Sequence, residues 1–112
     1  MRGSYAIVFV SDMKRSVAFY RDVIGLPLKF DSPEWSEFAT DGATFALHRS
    51  EHPASPDDSE LPPGRCRPGL SVRDLDAFHQ RMVEHNVICT QQPKDLFGAR
   101  IAQYVDPDGL AI

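Results

Sequence analysis

The sequence predicts an α+β fold built from two βαβββ-like modules in one pseudo-symmetric domain. Three observations carry that prediction. Val10-Ser11-Asp12-Met13 opens a helical pattern, and Val72-Arg73-Asp74-Leu75 opens another 62 residues later. Each follows a short apolar segment, Tyr5 to Val10 in the first half and Gly69 to Val72 in the second. Each is followed by strand-like segments and an Asp-Gly turn, Asp41-Gly42 and then Asp108-Gly109. In a chain of 112 residues neither half could bury a core alone, so both belong to a single domain spanning residues 1–112. Module 1 is expected at about residues 4–50, a linker at 50–65 and module 2 at about 66–112.

The first module reads in order. Tyr5-Ala6-Ile7-Val8-Phe9-Val10 is a nearly continuous apolar run rich in β-branched and aromatic residues, as in a strand buried on both faces. Asp12 stands at the N-cap, where its carboxylate can accept from the unpaired N–H groups of the first helical turn. Met13, Val17, Tyr20 and Ile24 follow at helical spacing, and Gly25 is placed to end the helix in a left-handed conformation. Leu26 to Ser32, Trp35 to Thr40 and Ala43 to His48 read as strands, with turns at Ser32-Pro33 and Asp41-Gly42.

Arg49 to Arg65 is rich in Pro, Ser, Asp and Glu and forms the connection between halves. Pro68 to Val72 begins the second copy as a strand. Asp74 is the matching cap, Leu75, Phe78 and Met82 form the apolar stripe, and Asn86 is the left-handed terminator. Val87 to Thr90, Ala99 to Val105 and Leu110 to Ile112 are the remaining strands, with a strong turn at Asp106-Pro107-Asp108-Gly109.

Composition narrows the partners. The net charge is -4 with scattered basic residues, which argues against nucleic acid. No apolar run approaches the roughly 20 residues that span a bilayer, so no membrane is expected. Neither end reads as a signal peptide, and Met1-Arg2-Gly3-Ser4 resembles an expression-tag leader. Cys66 and Cys89 are neither a CxxC pair nor a disulfide framework; they read as reduced thiols of a cytoplasmic protein. Neither has a paired Cys or His at zinc-site spacing.

Val10-Ser11-Asp12-Met13-Lys14-Arg15-Ser16-Val17-Ala18-Phe19-Tyr20 resembles the VxDLxxSxxFY signature of the vicinal oxygen chelate superfamily. That superfamily includes glyoxalase I, bleomycin-resistance proteins, fosfomycin-resistance enzymes and extradiol dioxygenases. Ile24-Gly25-Leu26, the Asp106-Pro107-Asp108-Gly109 turn and the second Val72-Arg73-Asp74-Leu75 start match as well, so the resemblance runs from about Tyr5 to Ile112. It implies two βαβββ modules paired into a cupped mixed sheet, with helices outside and the site within. It also implies metal ligands, in metal-dependent members, on the first and last strands of each module. Carried onto this sequence, those positions fall on Tyr5, Ala46, Arg67 and a place just past Ile112. Ala46 offers no donor, Arg67 brings a positive charge and a phenol is a poor ligand, so no metal or other cofactor is expected there.

Strand alternation turns the implied cup into candidate ligand-binding residues: Tyr5, Ile7, Phe9, Ala46 and His48 in module 1, and Arg67, Gly69 and Ser71 in module 2. Ala6, Val8 and Val10 should pack under the first helix. His48 is open to two readings, an acid, base or polar contact for a ligand, or a strand-end histidine without a role. Arg67 would favour a carboxylate or phosphate, or else sits exposed at a strand end. Trp35, Phe38 and Tyr104 are either aromatic walls or core. His52, His79, His85, Asp31, Glu37 and Asp41 read as solvated, although His48 with Glu51 or His52 is a conceivable alternative metal set. No catalytic residue is assigned.

Two functions follow from the resemblance. One is a metal-independent protein of the bleomycin-resistance type that binds a small molecule in the cup. The other is a metal-dependent lyase, isomerase or dioxygenase of the glyoxalase type. A homodimer is expected in either case.

Overall fold

The computed structural model describes residues 3–50, 67–96 and 98–112. It divides into two compact units, Met1–Pro53 and Ala54–Ile112, close to the boundary between modules. Most of the connecting segment, with Glu51, His52, Pro62-Pro63-Gly64 and Cys66, lies outside the described residues, as do Met1 and Arg2.

Unit 1 contains β1 (Tyr5–Val10), α1 (Met13–Ala18), β2 (Leu28–Phe30), β3 (Trp35–Phe38) and β4 (Thr44–Arg49). The four strands form one mixed sheet in the order β1-β4-β3-β2. β1 runs parallel to β4 with Tyr5 opposite Thr44 and Phe9 opposite His48, and the other pairings are antiparallel. Alternation along these strands divides the faces. Val8, Val10, Phe38, Phe45 and Leu47 are buried with Met13, Val17 and Tyr20 of the helical segment. Ala6, expected beneath the helix, is exposed instead, near the start of β1.

The Asp12 carboxylate accepts from the Arg15 N–H at 3.0 Å, as the cap reading requires. Helix α1 then widens into a π-helical stretch, Phe19–Ile24, which closes at Gly25 with φ 97°. The Gly25 and Leu26 N–H groups both donate to the Tyr20 carbonyl, at 3.2 and 2.9 Å. The extra residue per turn explains why Tyr20 stays fully buried while Ile24, at the next expected α-helical position, is only half-buried. Tyr20 packs between Phe45 and Phe38, with ring centroids 5.0 and 6.1 Å away.

Unit 2 contains α2 (Leu75–Glu84), β5 (Cys89–Leu96) and β6 (Ala99–Tyr104). Asp74 caps α2 through a 3.0 Å bond from the Ala77 N–H, and Asn86 takes φ 56° after the helix. Met82 is fully buried, and Phe78 meets Tyr104 edge-on at 5.7 Å. β5 and β6 form an antiparallel hairpin, and Gly98 in their turn has φ 77°.

Three expectations for unit 2 need correction. Residues 67–72 carry no strand; Pro68 lacks an N–H, and the segment ladders with no described strand. β5 does not stop at Thr90 but continues to Leu96, and register shifts on both sides of Gln91 accommodate Pro93. Leu110 to Ile112 forms not a full strand but an isolated bridge, Val105 to Ala111, closed by paired bonds between Tyr104 and Ile112 at 2.8 and 2.9 Å. The turn before it is as expected: buried Asp106 accepts from the N–H groups of Asp108 and Leu110 at 2.9 and 2.8 Å.

Candidate functional site: an aromatic face on unit 1

The sheet face of unit 1 opposite α1 presents apolar groups to solvent. Tyr5, Ile7 and Phe9 project from β1 and are 56%, 47% and 63% exposed, so β1 is not buried on both faces as its apolar run suggests. Together they form an exposed apolar patch on one face of the strand. β4 contributes Ala46 and His48, and β3 contributes Trp35 and Glu37 at the same levels. The His48 ring lies 5.4 Å from Phe9 and 6.0 Å from Trp35. Tyr5 meets Trp35 at 6.2 Å. Ala46 sits at the level of Ile7 and Glu37 and is fully buried.

Polar groups on this face are few and held in place. The Trp35 indole N–H donates to Glu37 Oε1 at 3.1 Å, which draws the indole along its own strand. Lys29 Nζ stands 4.0 Å from Glu37 Oε2. The Trp35 N–H donates to Ser32 Oγ at 3.1 Å, so the Ser32-Pro33 turn fixes where β3 begins. His48 Nδ1 is 2.7 Å from the Arg49 carbonyl oxygen. A carbonyl only accepts, so Nδ1 carries a proton, and in the neutral ring of that tautomer Nε2 holds the lone pair.

The five unit 1 candidates, Tyr5, Ile7, Phe9, Ala46 and His48, thus share one face. Arg67, Gly69 and Ser71 belong to unit 2, where they lie exposed in a segment without secondary structure. Glu37, read as solvated, is instead the acceptor that orients Trp35. The signal for it was present: Trp35 and Glu37 are two apart on a strand and so share a face. Phe38 and Tyr104 are not walls of any open surface; both are buried against helices. His79, read as solvated, is half-buried, with Nδ1 2.9 Å from the Tyr104 hydroxyl. Burial, with a smaller contribution from nearby Cys89, pushes the Tyr104 phenol up to about 12.

A groove on the other side of the sheet, between α1 and the Asp31–Glu34 turn, carries charges of both signs. Its Arg21 and Arg49 are paired with Asp22 and Glu34 at 2.9 and 3.5 Å, so it offers a ligand little.

The family's metal positions do not fit a metal. Fully buried Ala46 supplies only a methyl, and Tyr5 and Arg67 supply a phenol and a cation. Among the described residues, no group of three or more His, Cys, Asp or Glu side chains could hold an ion. No helix among them is long and apolar enough to cross a membrane.

A sequence model of the Glyoxalase/Bleomycin resistance protein/Dioxygenase superfamily matches residues 3–112. The chain is 28% identical over 111 residues to the Bacillus subtilis protein YraH, covering 90% of this chain and 87% of that one. Among solved structures, a glyoxalase/dioxygenase from Nostoc punctiforme aligns with TM-score 0.82 at 19% identity, over 96% of this chain and 84% of its own, a likeness of fold. TnmS3, an antibiotic binding protein from Streptomyces sp. CB03234, aligns with TM-score 0.73 at 29% identity, over 99% of this chain and 91% of its own.

Proposed function

The chain belongs to the glyoxalase/bleomycin resistance protein/dioxygenase superfamily, and we propose that it binds a small aromatic molecule on the sheet face of unit 1, without the family's metal. One observation carries this reading: Tyr5, Ile7 and Phe9 are exposed together beside Trp35 and His48, while the position that would need a metal donor is Ala46. Aromatic rings hold planar ligands by dispersion and stacking, at little cost in side-chain entropy. The 29% identical antibiotic binding protein TnmS3 supports binding over turnover. A divalent ion would meet a methyl group at its expected ligand, so a metal-dependent lyase, isomerase or dioxygenase reaction gains no support from these side chains.

Trp35 is the chain's single tryptophan, so its indole N–H gives one resonance that reports on this face. Titrating naphthalene-sized compounds should shift that signal equally with EDTA or with Zn²⁺, Ni²⁺, Mn²⁺ or Fe²⁺ present. Phe9→Ala should weaken binding by about tenfold. Tight stoichiometric metal binding, or shifts that require the metal, would overturn the metal-free reading.

A further inference from the structure

Resting on that aromatic-ligand reading, we infer that His48 makes this face select planar aromatic molecules carrying a hydroxyl or N–H donor, with Nε2 of His48 as the acceptor. The Arg49 carbonyl, 2.7 Å from Nδ1, fixes the tautomer from behind. In the neutral Nδ1–H ring, Nε2 is the acceptor, on a ring flanked by Phe9 at 5.4 Å and Trp35 at 6.0 Å. A ligand ring lying on these aromatic groups brings its substituents to that lone pair at the edge of the stack. A donor there forms a hydrogen bond, whereas a methylated oxygen presents a second acceptor and leaves Nε2 unpaired.

The remaining groups of the face argue against an anionic ligand. The Glu37 carboxylate is already engaged by the Trp35 indole at 3.1 Å, and the Lys29 amine stands 4.0 Å from it. Arg49 alternates to the opposite face from His48 and is 3.5 Å from Glu34, so it presents no fork to a carboxylate here.

The test compares 2-naphthol with 2-methoxynaphthalene in the same buffer. The Trp35 indole signal gives affinities, and the imidazole ¹⁵N shifts of His48 give the tautomer and the hydrogen bond. 2-Naphthol should bind roughly fivefold tighter than its methyl ether and should move the Nε2 resonance, which the ether leaves in place. His48→Phe keeps a stacking ring and should bring the affinity ratio to about one. A ratio that survives in His48→Phe, equal binding of the two compounds to the wild type, or a proton found on Nε2 would overturn donor selection while leaving aromatic binding intact. Failure of both compounds to move the Trp35 signal would instead overturn the aromatic-ligand reading, and this inference with it.

Discussion

At the scale of single residues, Tyr104 makes alkaline stability a probe of unit 2. Its phenol is 4% exposed and is pushed up to about 12 chiefly by burial. A tyrosine in the unfolded chain titrates near 10. The folded state therefore holds its proton more tightly, and its contribution to stability is complete below about pH 10 and is lost as pH rises towards 12. The loss should reach about 2–3 kcal/mol by the upper end of that window. Denaturant midpoints at about pH 8 and 11.5, compared between wild type and Tyr104→Phe, isolate the effect; an equal alkaline drop in both would refute it. The core reading of Tyr104 was open in the sequence, but its contact with His79 was not, because the two are 25 residues apart and meet only when α2 packs on β6. That Tyr5, Ile7 and Phe9 share a face was legible for a simpler reason, whereas their exposure was not. Tyr5, Ile7 and Phe9 alternate along one strand, and alternation needs no partner to be read. Glu37 could be placed on the same face as Trp35, but not that the indole leans towards it.

At the scale of elements, both helix starts were readable from one residue each, since Asp12 and Asp74 cap by bonds three residues ahead. Pairing beyond such local reach was less readable. Residues 67–72 have a strand-like pattern, yet a strand also needs a ladder partner, and β5 tolerates Pro93 only because its register shifts beside it. The π-helical stretch after α1 had no local signal at all. Ser16 on α1 belongs to the same region: it is fully buried, and its hydroxyl has no hydrogen-bond partner among the described residues. An unpaired buried hydroxyl costs about 1–3 kcal/mol, whereas a methyl in the same place costs nothing of the kind. Ser16→Ala should therefore stabilise the fold by about 1 kcal/mol, seen as a higher midpoint with an unchanged denaturant slope. A destabilised Ser16→Ala protein would show that the hydroxyl is satisfied in solution.

At the scale of the molecule, the chain divides into two compact units, Met1–Pro53 and Ala54–Ile112. The repeated Val-x-Asp start could not show how unequal they are, because among the described residues four strands pair in unit 1 and two in unit 2. That difference matters for assembly. Among the described residues, β1 pairs with β4 along one edge only, and its exposed face carries Tyr5, Ile7 and Phe9. Edge strands with apolar faces invite pairing with another chain, and native proteins either block them or use them. β1 has no proline and no charged residue to block pairing. A closed two-fold dimer is the commonest way to use such a surface, and a long connection between modules adds little entropy cost to exchanging them across it. The chain is therefore expected to be a homodimer, with Tyr5 and Ile7 near the partner if modules are exchanged. Light scattering at micromolar concentration should give twice the 12.5 kDa chain mass. A mass near 12.5 kDa that persists as concentration rises would defeat the dimer and leave the β1 face to the ligand alone.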